Sequence, residues 1–227
     1  MENAPKVETK SASSQPLIIS YLTLRKFIGW LGFSLPFVLG VGGIVIDFNA
    51  IKFEPSISDY YYSTLRDVFV GVLFSISVFL MSYRGYDKKD HNASLLAGLC
   101  VLGVALFPTS PVCNPLSNEL TVGMFHYVFV AGYFLTLSYI SIFLFTKTHV
   151  GAEATRTPKK LQRNNVYIVC GVLMILSLAA IGLNKLLNMH VDLCKETSCT
   201  VFLLESIAVL AFGVSWLTKG ELILKDE

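Results

Sequence analysis

Six long apolar runs alternate with polar segments along the chain, at about residues 27–46, 68–82, 93–107, 125–145, 166–183 and 200–217. A membrane-spanning helix needs about 20 apolar residues, with roughly 17–25 as the working range. The first, fourth, fifth and sixth runs meet that length. The second and third are short, and are expected to borrow flanking residues or to sit in locally thinned lipid. The pattern predicts an all-α, polytopic integral membrane bundle of six transmembrane helices. Residues 1–26 read as a disordered cytoplasmic tail, 27–218 as the membrane domain and 219–227 as a second cytoplasmic tail.

Charge supplies the orientation. Fourteen of the eighteen Lys and Arg residues fall in the N-terminal segment, the second and fourth connections and the C-terminal segment; Lys52, Arg66, Lys185 and Lys195 lie on the other side. Cations favour the cytoplasmic side of short loops, so both termini are expected in the cytoplasm of a multi-pass protein of the cytoplasmic (inner) membrane. The sixteen acidic residues divide evenly between the two sides. Hydrophobic residues make up 53% of the chain and charged residues 15%, against about 25% charge in soluble domains. Mean hydropathy is +0.60. A soluble helical core is thereby excluded. The basic loops serve topology and anionic lipid head groups, and carry no nucleic-acid motif. The first run starts too late for a cleaved signal. Asn92-Ala93-Ser94 matches a glycosylation acceptor, but its cytoplasmic placement rejects it.

Small residues suggest close helix packing: Gly40, Gly42 and Gly43 in the first run, Ser94 and Gly98 in the third, Ala131 and Gly132 in the fourth. Pro36 is expected to kink the first helix. Cys100 and Cys170 fall inside spans. Cys113, Cys194 and Cys199 fall in outer loops, where a disulfide is permitted, either Cys194–Cys199 or Cys113 with one of them.

Sorting the remaining polar residues by this topology gathers most of them at the outer ends of the second, fourth and sixth helices. Ser58, Asp59, Tyr60, Arg66, Asp67, His126 and Glu205 form that layer, with Tyr133 seven residues beyond His126 on the same helical face. Asp47, Asn184 and His190 share it. No comparable set is expected at the inner third. Thr64-x-x-Asp67 reads as a capping box for the second helix. Glu205, about 8 Å below its helix mouth at 1.5 Å per residue, needs a partner, and Arg66 is the economical one.

A zinc hydrolase usually needs three ligands and a water. Only His126 and His190 lie outside, and His91 and His149 lie inside, so no metal site is expected. The same count sets the chain apart from seven-span metal-dependent lipid amidases. Ser58, His126 and Asp59 could form a triad-like set. No span carries a polar stripe of the kind a channel needs.

The segments Ser58-Asp59-Tyr60, Arg66-Asp67-Val68-Phe69-Val70-Gly71 and His126-Tyr127 resemble those of uncharacterised six-span bacterial membrane proteins. More distantly they are similar to the DRAM/Frag/Sfk-type family, which has six spans and cytoplasmic termini. The resemblance implies a role in lipid handling or membrane organisation. The leading expectation is non-enzymatic binding of a lipid head group or small ligand, or membrane organisation, with membrane lipids as partners and no cofactor. Arg66 would contact an anionic group, Asp67 and Glu205 would position it, and the tyrosines would line the rim. The alternative is a membrane lipid hydrolase or transferase using His126 with Asp59, Asp67 or Glu205. A secondary transporter is third.

Overall fold

The computed structural model describes residues 15–46, 54–111, 115–147, 158–187 and 199–225. Among them are six α-helices and no strand: α1 (Gln15–Ile46), α2 (Arg66–Ser82), α3 (Lys88–Leu106), α4 (Ser117–Tyr139), α5 (Pro158–Leu187) and α6 (Thr200–Lys219). A short 3-10 helix, Ser58–Tyr62, precedes α2. The α4 axis continues through a π-helical turn, Ile140–Leu144.

Among the described residues, four segments are long and apolar enough to cross a membrane: Tyr21–Val45, Ser117–Leu144, Pro158–Leu187 and Thr200–Lys219. Helix α2 has 17 residues and α3 has 19, or roughly 25 and 28 Å at 1.5 Å per residue. The first turn of α3 is spent on Lys88, Lys89, Asp90 and His91. These two helices are therefore shorter or less apolar than the other four. The tail boundary shifts as well. Helix α1 starts at Gln15 and runs through Pro36, so residues 15–26 are helical rather than disordered.

Each helix packs on its neighbours in sequence, and α6 returns to α1, closing a ring. The pairings α1·α6·α5 and α2·α3·α4 are the more extensive, leaving α1·α2 and α4·α5 as lighter seams. Close approach depends on small residues. A Cβ on Gly32 would sit 2.5 Å from the Phe212 ring, and one on Gly213 would sit 2.6 Å from the backbone of Phe33. Ser94 and Gly98 do serve packing: Ser94 Oγ donates to Leu80 O (2.7 Å), and Ser77 Oγ donates to Gly98 O (2.9 Å), stitching α3 to α2. The outward faces of all six helices carry large exposed apolar side chains, among them Phe37, Phe74, Leu99, Leu135, Leu176 and Leu203.

Candidate functional site

The segment before α2 folds into the mouth of the ring. Pro55 and the 3-10 turn bury Ile57 and Tyr60, and Phe202 N donates to Pro55 O (2.9 Å), tying this loop to α6. Ser56 Oγ donates to Asp59 Oδ2 (2.7 Å) and accepts from Asp59 N (3.0 Å), closing the turn locally. Glu205 holds the loop from below. Its Oε2 accepts from Ile57 N (2.6 Å) and Ser58 N (3.2 Å), and its Oε1 accepts from Ser58 Oγ (3.3 Å). The carboxylate is thus satisfied by backbone and hydroxyl donors rather than by a cation.

A proline sets the other side of the site. Pro108 disfavours helical backbone at the residue before it, and Phe107 leaves α3 extended, at φ −107° and ψ 103°. Its carbonyl is then free to accept from His126 Nδ1 (2.7 Å). A carbonyl only accepts, so Nδ1 carries the proton and Nε2 is left towards Ser58 Oγ, 3.2 Å away. His126 is 2% exposed. Ser58 Oγ, with its one hydrogen, stands between two acceptors, Glu205 Oε1 (3.3 Å) and His126 Nε2 (3.2 Å), and donates to one at a time. A line of polar contacts thus links α3, α4, the loop and α6 through Phe107 O, His126, Ser58 and Glu205.

These groups line one end of a cavity of about 780 Å³ that touches all six helices. Ser58, Asp59, Thr109, His126, Lys185 and Glu205 are at that end. The remaining wall is mostly apolar, with Leu35, Leu73, Val101, Val130, Phe134 and Ala208. Lys185 Nζ stands 3.4 Å from the centroid of the Tyr127 ring. Tyr127 Oη in turn shares a hydrogen bond with Thr109 Oγ1 (3.1 Å). Burial pushes the Asp59 carboxyl above its ordinary range, opposed by the Ser56 hydroxyl and by the charge of Lys185.

The site differs in membership from the expected polar layer. Ser58, Asp59, His126, Tyr133, Asn184 and Glu205 do border the cavity. Arg66 and Asp67 do not. Arg66 is exposed, donates to Tyr61 Oη (2.7 Å) and stacks on that ring at 4.3 Å. It is no partner of Glu205, because the loop amides arrive first. Asp67 is exposed, and α2 is capped by Leu65 with no side-chain bond, so the Thr64–Asp67 box does not form. Tyr60 is buried against α1 and Phe202 rather than at a rim. Lys185, Thr109 and the Phe107 carbonyl were not anticipated. Pro108 was the available signal for the last of these. Asp47, Cys113, His190 and Cys194 lie outside the described residues, while Cys199 is described and carries a free, exposed thiol, against the expected pairings through it.

The opposite end also holds a buried polar cluster, contrary to expectation. Arg25 is 4% exposed. It donates to Lys219 O (3.3 Å) and Tyr83 Oη (3.5 Å) and lies over the rings of Tyr21, Tyr83 and Tyr86. Lys219 Nζ stands over Tyr86, Phe145 and Tyr167. Asp87 caps α3 through Asp90 N (2.9 Å), and Lys147 pairs with Asp87 at 3.0 Å. Aromatic rings spaced far apart in sequence make this site, so counting polar residues misses it. Among the described residues no three His, Cys, Asp or Glu side chains converge as metal ligands would. No family model, curated protein or solved structure matches the chain.

Proposed function

We propose that this chain is a six-span protein of the cytoplasmic membrane, with both termini in the cytoplasm, that holds an amphiphile: a lipid or lipid-like molecule with its head at the polar end of the cavity. The observation that carries this reading is the cavity itself. Its 780 Å³ lies within the roughly 300–1,000 Å³ of small-molecule sites, and its division into a polar end and apolar walls matches the division within an amphiphile. Six spans are supported by the exposed Phe74, Val78, Leu96 and Leu99 of α2 and α3, which only lipid or a partner would cover. Orientation is supported by the gathering of Arg25, Lys147 and Lys219 at one end and of Glu205 and Asp59 at the other.

The test is extraction of the protein, purified in mild detergent, with organic solvent, followed by mass spectrometry. A stoichiometric amphiphile is expected with the unmodified protein and is lost when Val130→Trp fills the cavity. An empty wild-type protein, still empty after incubation with membrane lipid, defeats the proposal. A second reading, a membrane lipid hydrolase or transferase, is favoured by one specific observation, the hydrogen bond between Ser58 Oγ and His126 Nε2.

A further inference from the structure

We infer that Ser58 is a nucleophile and His126 its general base, acting on the carboxylic ester of a lipid seated in the cavity; this rests on the cavity holding an amphiphile. Three placements lead to it. First, the two atoms that must exchange a proton are 3.2 Å apart, within the roughly 2.6–3.2 Å reach expected of a nucleophile and its base. Second, the His126 ring is held by donation of Nδ1–H to Phe107 O (2.7 Å). That bond sets the tautomer a base requires, with the Nε2 lone pair aimed at the hydroxyl. Third, both residues border the cavity where its polar end meets its apolar wall. Beyond His126 on α4 come Val130, Tyr133 and Phe134; beyond Glu205 on α6 come Ala208 and Val209. The ester linkages of an acyl lipid lie at the junction of head and chain, which is the depth of Ser58.

Glu205 is a positioning residue. Through the amides of Ile57 and Ser58 it holds the first residue of the 3-10 turn against α4. The Oε1 of Glu205 also lies 3.3 Å from Ser58 Oγ, so the single hydroxyl hydrogen is shared between that oxygen and His126 Nε2, 3.2 Å away. A tether alone would not require the tethered hydroxyl to stand beside a base inside a cavity as well.

The step balances without a redox partner. Ser58 Oγ attacks the ester carbonyl carbon and its proton passes to His126 Nε2. The tetrahedral intermediate collapses, the bond from carbon to the leaving alcohol oxygen breaks, and His126 returns the proton to that oxygen. The acyl-Ser58 ester is then opened by water, or by the hydroxyl or amine of a second lipid. His126 takes one proton from the attacking group and returns it to Ser58. The products are a fatty acid, or an acylated acceptor, and the freed alcohol.

The test uses the full chain in lipid nanodiscs and a long-chain alkyl fluorophosphonate, which phosphonylates activated serines. One adduct per chain is expected, mapped by peptide mass spectrometry to Ser58 and absent in Ser58→Ala. The labelling rate rises with pH in the wild type. In His126→Gln it falls by at least about 100-fold, as loss of a general base predicts, and no longer follows pH. Peptide mapping of the wild type decides even if a variant fails to fold. A wild-type protein that retains its amphiphile but takes no adduct, or takes it at another residue, overturns the inference and leaves the binding proposal standing. A protein that neither retains an amphiphile nor labels overturns both.

Discussion

Both ends of the bundle enclose polar and charged residues, to opposite effect. At the basic end, Arg25 and Lys219 are packed among Tyr21, Tyr83, Tyr86, Phe145 and Tyr167. Cation–ring contacts of this sort contribute about 0.5–2 kcal/mol each. The charges are used up in holding α1, the α2–α3 connection, α5 and α6 together. At the other end Ser58, His126 and Glu205 are joined to one another and to the backbone, and Asp59 is closed on Ser56, yet all four border an open volume. A buried charge enclosed by rings is a clamp. A buried base and a half-buried hydroxyl facing a cavity remain available to a ligand. The difference locates function more sharply than a count of polar residues could.

The largest effect is expected from Glu205→Leu. It strands the amides of Ile57 and Ser58, at about 1–3 kcal/mol for each buried unsatisfied donor. Thermal melting in detergent should fall steeply, and the loop around Ser58 should become open to proteolysis. Glu205→Gln keeps an oxygen for both amides and should melt close to wild type. If Leu and Gln behave alike, the carboxylate does not hold the loop. Arg25→Ala comes next. It removes a guanidinium with two hydrogen bonds and the packing of its aliphatic stem, at roughly 2 kcal/mol. It should lower the melting temperature while leaving the amphiphile bound in the folded fraction. Loss of the amphiphile at full stability would show that the two ends are not separate.

Ala208→Phe probes the cavity directly. Ala208 is 1% exposed and lines it, so an added ring enters space rather than packed atoms. Stability should change by less than about 1 kcal/mol, while amphiphile retention falls by about tenfold or more. An equal loss of both would mean that the cavity is too narrow to be a binding site.

The Asp87 cap gives a smaller effect at the basic end. The Asp90 amide, and then the Lys147 ammonium, hold the Asp87 carboxyl below its ordinary 3.8. A lowered value means the folded state favours the charged form. Its stabilisation is therefore present at neutral pH and declines as pH falls from 3.8 through the depressed value. Asp87→Asn should flatten that part of the melting-temperature profile, and an unchanged profile would dismiss the cap as a source of acid sensitivity.

Helix class was legible because six apolar runs of 15–21 residues leave few alternatives. The loop 47–65 was legible as a polar segment whose Ser58 and Asp59 could join His126, but its path was not. That Ser58 and His126 meet across 68 positions depends on Pro108 bending Phe107 out of α3 and on Glu205 drawing the loop inward, both of them tertiary events. Local patterns misled where tertiary donors competed. The Thr64–Asp67 box fits the spacing of a cap, but Leu65 takes the cap position and the Ser63 hydroxyl accepts from its amide (3.1 Å).

The smallest effect is expected at the residue the sequence made most prominent. Arg66 is one of four cations assigned to the acidic side, and a half-buried Glu205 nearby invites the pairing. Coulomb attraction alone would bring them together in a dry interior. Two loop amides already occupy the Glu205 Oε2 atom at 2.6 and 3.2 Å, and delivering a guanidinium there would require stripping its water as well. Arg66 instead lies over Tyr61, where water still reaches it. Arg66→Ala should therefore shift stability by no more than about 0.5 kcal/mol and leave both amphiphile retention and Ser58 labelling at wild-type levels. A loss as large as that of Glu205→Leu would restore the ion pair and remove the reason for treating Glu205 as the anchor of the loop.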